Sequence, residues 1–464
     1  MASVVIMGAG PGGYEAALVG AQLGARVTIV DTDGPGGSAV LTDCVPSKTL
    51  IATADLLAVA TEAGSLGIRV HGEVPTAGTL SVDLGAINSR VKELASAQSR
   101  DIAERLTREG IRYLRGRGRL LSSTRVAAAT EAGEEIIEAD VVLLATGASP
   151  RVLASAQPDG ERILTWDQVY DLDEVPRRLI VVGSGVTGAE FASAYHALGA
   201  EVVLVSSRDR VLPGEDPDAA AVIEEAFADR GMTVLSHARA ASVNRTDEGV
   251  LVTLADGSII EGSHALLAVG SVPNTAGLGL DEAGVECDER GFIVVDRVSR
   301  TTARGVYAAG DCTGVLMLAS VAAMQGRIAM WHALGDSVSP LDRGVVSSTV
   351  FTTPEIATVG VTQQEVDAGD VRVDTVLLPL HTNARAKMLD IRRGFVKLFC
   401  RRTSRIIVGG VVVGPRASEL IHPITVAVEA RLTVDQLAST FTVYPSLSGS
   451  IAEAARRLHR PENE

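Results

Sequence analysis

The stretch VVIMGAGPGGYEAALVGAQLGARVTIVD (residues 4–31) decides the fold, because the chain contains it twice. LIVVGSGVTGAEFASAYHALGAEVVLVS (residues 179–206) repeats it at a constant offset of 175. Each copy reads as an apolar strand, a Gly-x-Gly-x-x-Gly turn, a helix ending at Leu-Gly-Ala and a second apolar strand. That is the dinucleotide-binding βαβ unit, in which glycines allow a tight turn and let the backbone approach a pyrophosphate at a helix N-terminus. A lone turn of this kind is weak evidence. Two in the same setting predict two nucleotide sites, at Gly8, Gly10 and Gly13 and at Gly183, Gly185 and Gly188.

The copies diverge at their last residue. The first ends in Asp31, a carboxylate able to accept both ribose hydroxyls of an adenosine. The second ends in Ser206, followed by Ser207, Arg208, Asp209 and Arg210. Hydroxyls and arginines there suit a ribose 2′-phosphate, which a carboxylate would repel. The first unit therefore reads as an FAD site and the second as an NADPH site, with NADH still admissible.

Composition narrows the partners. A chain of 464 residues has room for about three domains. A net charge of −15 argues against nucleic acid or an anionic membrane as main partner, since both demand a basic face. Cys44, Cys287, Cys312 and Cys400 lie far apart, with no Cys-x-x-Cys and no His/Cys spacing that would hold zinc. A reducing cytoplasm fits them. No basic leader precedes the strand at Val4, so no signal peptide is expected, and no uninterrupted apolar run of about 18 residues predicts a membrane span.

Taken in order, residues 49–66 and 84–109 read as helices and residues 113–121 and 125–128 as strands. Val141–Gly147 and Leu266–Gly270 are buried strands running into turns, one closing each nucleotide unit. From about Val345 the character changes: strands near 395–400 and 406–413 precede helices near 418–430 and 433–438. The expected organisation is α/β. Two Rossmann-like dinucleotide-binding domains, for FAD (1–150) and NAD(P)H (151–274), are followed by residues 275–344 and a C-terminal α+β domain (345–464).

The segment GPGGSAVLTDCVPSK (residues 34–48) places a thiol, a proline and a lysine on one helical start. It resembles the redox-active segment of the flavoprotein disulfide reductases, such as lipoamide dehydrogenase and glutathione reductase. There Gly-Gly-x-Cys-x4-Cys-x-Pro-x-Lys carries a disulfide stacked on a flavin. Here Ala39 stands where the first cysteine belongs and Cys44 remains. The resemblance extends over nearly the whole chain. It implies FAD ligands at Gly36, Gly37, Lys48, Thr146, Gly147, Asp311 and Ala319, and Gly270 in the nucleotide site. It also implies a Lys48–Glu190 pair at the flavin, Lys48 stabilising the charge that develops on reduction. Finally, it implies that residues 275–344 return to the FAD domain, and that 345–464 is a dimerisation domain of a homodimer, reaching the partner's flavin.

At that terminus the family carries His-Pro-Thr-x-x-Glu, whereas this chain has Tyr444, Pro445, Ser446, Leu447, Ser448 and Gly449. A phenol keeps its proton at neutral pH, and glycine cannot orient a base. Sulfur, imidazole and carboxylate are lost together, so a disulfide is not the expected acceptor. The segment and the YPSLSGS terminus are similar to those of actinobacterial lipoamide-dehydrogenase homologues that act as NAD(P)H:quinone reductases, which implies a quinone. Two alternatives stay open: a peroxide or oxygen reductase cycling Cys44 through a sulfenic acid, and a non-catalytic flavoprotein redox sensor. Catalytic candidates are Lys48, Glu190, Cys44 and Tyr444.

Overall fold

A computed structural model describes residues 1–76 and 80–459. The chain divides into two compact units. One comprises residues 1–49, 86–151 and 270–342, the other residues 50–85, 152–269 and 343–464.

In the first unit the apolar run Ser3–Met7 becomes an inner strand, parallel to Arg26–Asp31 on one side and Val141–Leu144 on the other. Val306–Ala308 extends one edge in parallel, and Arg112–Ser122 lies beyond Arg26–Asp31. The antiparallel strands Arg125–Thr130 and Gly133–Glu138 complete seven. Val4, Val5 and Ile6 are fully buried, as expected of a strand covered on both faces. The helix Pro11–Gln22 packs on Ala319–Ala333, and the crossing leaves no space for a side chain: a Cβ on Gly326 would sit 2.0 Å from the Gly12 carbonyl oxygen.

The second unit repeats the arrangement. Arg178–Val182 lies between Glu201–Val205 and His264–Leu267, with Thr233–Leu235 and Ile163–Thr165 at the edges of an all-parallel sheet. Even the register is shared, since Ser3 pairs with Arg26 and Arg178 with Glu201. The C-terminal part is a five-stranded antiparallel sheet in the order Ser347–Val350, Glu355–Gly360, Ile407–Gly414, Phe395–Arg401, Val373–Pro379. Val396, Leu398 and Cys400 pack in one core with the helices Ala417–Glu429 and Gly449–Leu458. By strand alternation Phe395, Lys397 and Phe399 point to the other face. The expected class holds: two nucleotide-binding α/β folds and an α+β C-terminal domain.

Two local expectations shift. The helix expected from residue 49 begins at Cys44 and runs to Glu62. Pro46 then occupies its first turn, where a missing N–H removes no helical bond. Merged with its neighbours, residues Gly37–Leu66 reach a mean hydropathy of 1.3 over 18 residues, long and apolar enough by composition to cross a membrane. The helix is not built for lipid, however. Asp55 accepts a hydrogen bond from the Thr353 hydroxyl and Glu62 pairs with Arg230, polar ties that hydrocarbon would not provide.

Candidate functional site

Both glycine turns fold alike because the same close approaches force them. Gly8 (φ 106°) and Gly183 (φ 112°) are left-handed, and a Cβ on either would sit 2.2 Å from a carbonyl oxygen, that of Ala145 or of Ala268. A Cβ on Gly13 or Gly188 would meet the oxygen of Gly8 or Gly183 at 1.9 Å. Around Gly10 and Gly185, by contrast, nothing lies within 4 Å of an added Cβ. Each of these open glycines is the N-cap of its helix, with no side-chain cap and no acid in the first turn. Two positive helix ends thus face open space, as pyrophosphate groups require.

Asp31 is buried and already occupied. Its Oδ2 accepts the Ala9 N–H at 2.8 Å, and its Oδ1 accepts from Asp33 N, Gly34 N and the Tyr113 hydroxyl. A carboxylate has about four acceptor sites, so the expected two-pronged grip on a ribose is reduced to a single place on Oδ2. Burial and the Asp31 charge push the Tyr113 phenol up, keeping it a donor.

The remaining flavin candidates converge on the same end of this sheet. Gly36 N–H donates to Ala9 O at 2.8 Å, and the Gly37 backbone lies so close to Gly10 that a Cβ would come within 2.7 Å of its Cα. Thr146 and Gly147 are pinned by Asn274: the Thr146 hydroxyl donates to Asn274 O at 2.8 Å, Asn274 Nδ2 donates back to Thr146 O, and Asn274 N–H reaches Gly147 O. Asp311 follows the strand Val306–Ala308, its turn held by the buried Gln325, which accepts the Gly310 N–H at 2.9 Å. Burial, and secondarily the charge of Asp43, push the Asp311 carboxyl up to about 6. Near neutrality it is therefore mainly an acceptor, and only toward pH 6 and below can it also donate. Cys44 is half-buried as the first residue of its helix, Lys48 lies one turn on, and Ala319 opens a helix with no side-chain cap. The open turn, the uncapped helix ends and this mixed donor–acceptor rim fit FAD.

In the second unit the loop after Glu201–Val205 departs from expectation at one residue. Ser206 is fully buried, and its hydroxyl binds Ser184 Oγ at 2.7 Å, the Arg208 N–H at 3.1 Å and the carbonyls of Arg208 and Arg210. It shapes the loop instead of facing a ligand. Ser207 and Arg208 are exposed, whereas Arg210 lies beside Asp209. Gly270 (φ 94°) belongs to the first unit, where its carbonyl accepts the Arg151 N–H. Glu190 is buried, and its Oε1 accepts the Phe351 N–H at 2.9 Å.

Tyr444 is 85 % exposed, beside Phe441 and Val443 on an apolar ridge. Next to it Ser446 Oγ accepts the Gly449 N–H, and Asn383 donates to Ser446 O, so serines do the structural work at this terminus. Sequence reasoning missed Asn274, Gln325 and Ser184. Ser184 occupies a variable position of the second glycine turn, and Asn274 and Gln325 belong to no motif; these partners of the three lie 15 to 128 residues away in sequence.

Residues 2–326 match the model of the pyridine nucleotide-disulphide oxidoreductases, and residues 346–455 that of their dimerisation domain. The chain is 58 % identical to a Mycobacterium tuberculosis NAD(P)H dehydrogenase (quinone), over 98 % of this chain and 93 % of the relative. It is 34 % identical to the dihydrolipoyl dehydrogenase of Chlamydia muridarum, covering 97 % and 95 %. The crystal structure of LpdA from Mycobacterium tuberculosis superposes with a TM-score of 0.94 at 58 % identity, over 99 % of this chain and all of that one. The flavoprotein disulfide reductase RclA from Escherichia coli shares the fold, with a TM-score of 0.87 at 24 % identity, over 98 % of this chain and all of that one.

Proposed function

The chain belongs to the pyridine nucleotide-disulphide oxidoreductase family, and on that footing we propose that it is an FAD-dependent NAD(P)H:quinone oxidoreductase without the disulfide-reducing half of the family's chemistry. One observation carries this reading: both nucleotide turns keep their geometry while Ala39 stands in the sulfur position of the redox segment. FAD, when bound, supplies the hydride acceptor and the electron donor. The chain's part is to seat it over Gly10 and Gly37, to present Asp311 and the Ala319 helix end to its polar edges, and to hold the Lys48 ammonium where negative charge grows. Ser207 and Arg208 bind the nucleotide's 2′-phosphate, which makes NADPH the preferred donor. The relative named for quinone reduction, at 58 % identity, supports the choice of acceptor. A cytoplasmic setting goes with it.

The protein works as a homodimer, a reading supported by the dimerisation-domain match and by the ridge of Phe441, Val443 and Tyr444, apolar surface of the kind that marks interfaces. Tyr444 approaches the partner's flavin. A stable, active monomer in sedimentation would refute this placement.

A second reading rests on Cys44 being the first residue of its helix, where the helix dipole favours a thiolate. A single reactive thiol there would make the protein a peroxide reductase cycling through a sulfenic acid. One experiment separates the two: reduce the flavoprotein anaerobically with NADPH, then add menadione, benzoquinone, lipoamide or peroxide separately. Rapid reoxidation by the quinones supports the proposal; faster reoxidation by lipoamide or peroxide overturns it.

A further inference from the structure

Lys397 is a charged residue in the middle of a buried strand. It is 3 % exposed on the C-terminal sheet, between Phe395 and Phe399, with its ammonium 5.6 Å from the Phe399 ring centroid. Its Nζ lies 2.8 Å from Asp216 Oδ2 and 2.7 Å from Asp218 Oδ2. The side chain of Asp216 is as buried as that of the lysine, whereas that of Asp218 is half exposed. A buried ammonium persists only when paired and hydrogen-bonded, and two carboxylates meet that demand.

Asp216 has a second duty. Its Oδ1 accepts from Asp218 N and Ala219 N, which makes it the N-cap of the helix Pro217–Asp229. It also ends the loop that starts at Ser206. That loop is fixed at its start by the Ser206 hydroxyl network. In its middle, Leu212 (φ 53°) donates its N–H to Ser184 O and Val211 donates to Glu224 Oε1. The tie at its far end comes from the C-terminal sheet, through Lys397.

We propose that Lys397 is a positioning residue for nucleotide recognition: from the dimerisation domain it clamps Asp216 and thereby sets where the loop 206–216 presents Ser207 and Arg208. The proposal rests on assigning that loop to the NADPH 2′-phosphate. Loss of the clamp frees the cap and the loop end, so it weakens nucleotide binding, more for NADPH than for NADH, while leaving the flavin chemistry of bound nucleotide intact.

The test compares FAD-loaded wild type, Lys397→Met, Lys397→Arg and Asp218→Asn. Flavin absorbance reports binding of NADP+ or NAD+ without any acceptor, and menadione turnover gives KM and kcat. Lys397→Met should raise the NADP+ Kd and the NADPH KM about tenfold, equivalent to about 1.4 kcal/mol. Its kcat should stay within about threefold, the pattern of lost uniform binding. Lys397→Arg should recover most of the affinity, and Asp218→Asn, which keeps the buried pair, should weaken it about two- to threefold. Unchanged nucleotide affinity in Lys397→Met, or a fall in kcat at constant KM, overturns the proposal. If Lys397→Met does not load FAD, Asp218→Asn decides, and wild-type nucleotide affinity in it overturns the proposal. A wild type that binds NAD+ but not NADP+ refutes the NADPH assignment by itself; the clamp is then decided by the same comparison with NAD+.

Discussion

Glu190 Oε1 accepts the Phe351 N–H at 2.9 Å, and three residues along the same helix Ser193 Oγ accepts the Thr353 N–H at 3.1 Å. Two side chains one turn apart on the helix Val186–Ala197 thus hold the connection between the strands Ser347–Val350 and Glu355–Gly360 of the C-terminal sheet. Glu190→Gln keeps an acceptor for Phe351 and should lose less than about 1 kcal/mol of stability, whereas Glu190→Ala strands a partly buried donor and should lose about 1–2 kcal/mol. Thermal melts of the two variants check this. Equal losses would mean that the charge, and not the acceptor, matters.

Asp311 predicts a pH signature in the flavin-free protein. Its folded-state carboxyl lies at about 6, raised first by burial and then by Asp43. The folded state therefore binds a proton that the unfolded chain has released, and stability falls as pH rises from about 4 through about 6. The cost when ionised is roughly 2–3 kcal/mol, allowing for partial solvation. Asp311→Asn lacks this dependence, so the apoprotein variant should gain on wild type between pH 4 and pH 8 while binding FAD more weakly. Urea titrations giving parallel stability curves would refute it.

The buried and exposed residues of the nucleotide loop should separate in kinetics. Arg208→Gln removes a cation and should raise the NADPH KM about tenfold, leaving NADH nearly unaffected, since charge-assisted phosphate contacts are the strong ones. Ser206→Ala removes a loop-shaping hydroxyl and should weaken both nucleotides alike. An equal effect of Arg208→Gln on NADPH and NADH would show that no 2′-phosphate lies there.

Cys44→Ser tests whether sulfur takes part in turnover. Quinone reduction from a flavin needs no sulfur step, so the FAD-loaded variant should keep most NADPH:quinone activity and change mainly the flavin spectrum. Loss of about a hundredfold, some 2.7 kcal/mol of barrier, would instead favour the sulfenic-acid cycle. Ala39→Cys should not yield lipoamide reduction, because Tyr444 and Gly449 still supply neither base nor orienting acid.

The legible parts of the molecule are those dictated by neighbours in sequence. Gly8 and Gly183 repeat because a left-handed turn under a carbonyl admits little else, and that demand shows in six residues. Lys397 was not legible: within GFVKLF it is a single charge in an apolar run, and its partners lie some 180 residues earlier. Ser206 misled for a related reason. A serine where an acid is missing looks like a ligand, yet its hydroxyl closes the loop that carries the exposed Ser207 and Arg208. Asp31 shows the same limit, since sequence identifies the carboxylate but not the four donors that already use it.

The strand Val306–Ala308 and the helix Ala319–Ala333 belong to the same sheet and crossing as Ser3–Met7 and Pro11–Gln22, although some 300 residues separate them. A ribosome must therefore finish roughly two-thirds of the chain before the first glycine turn can receive its covering helix. The second turn, whose sheet is complete by Leu267, needs no such wait. Synthesis at about 5–20 residues per second leaves the N-terminal apolar strands uncovered for tens of seconds. For the two nucleotide-binding folds the order of completion during translation is thus the reverse of their order in sequence.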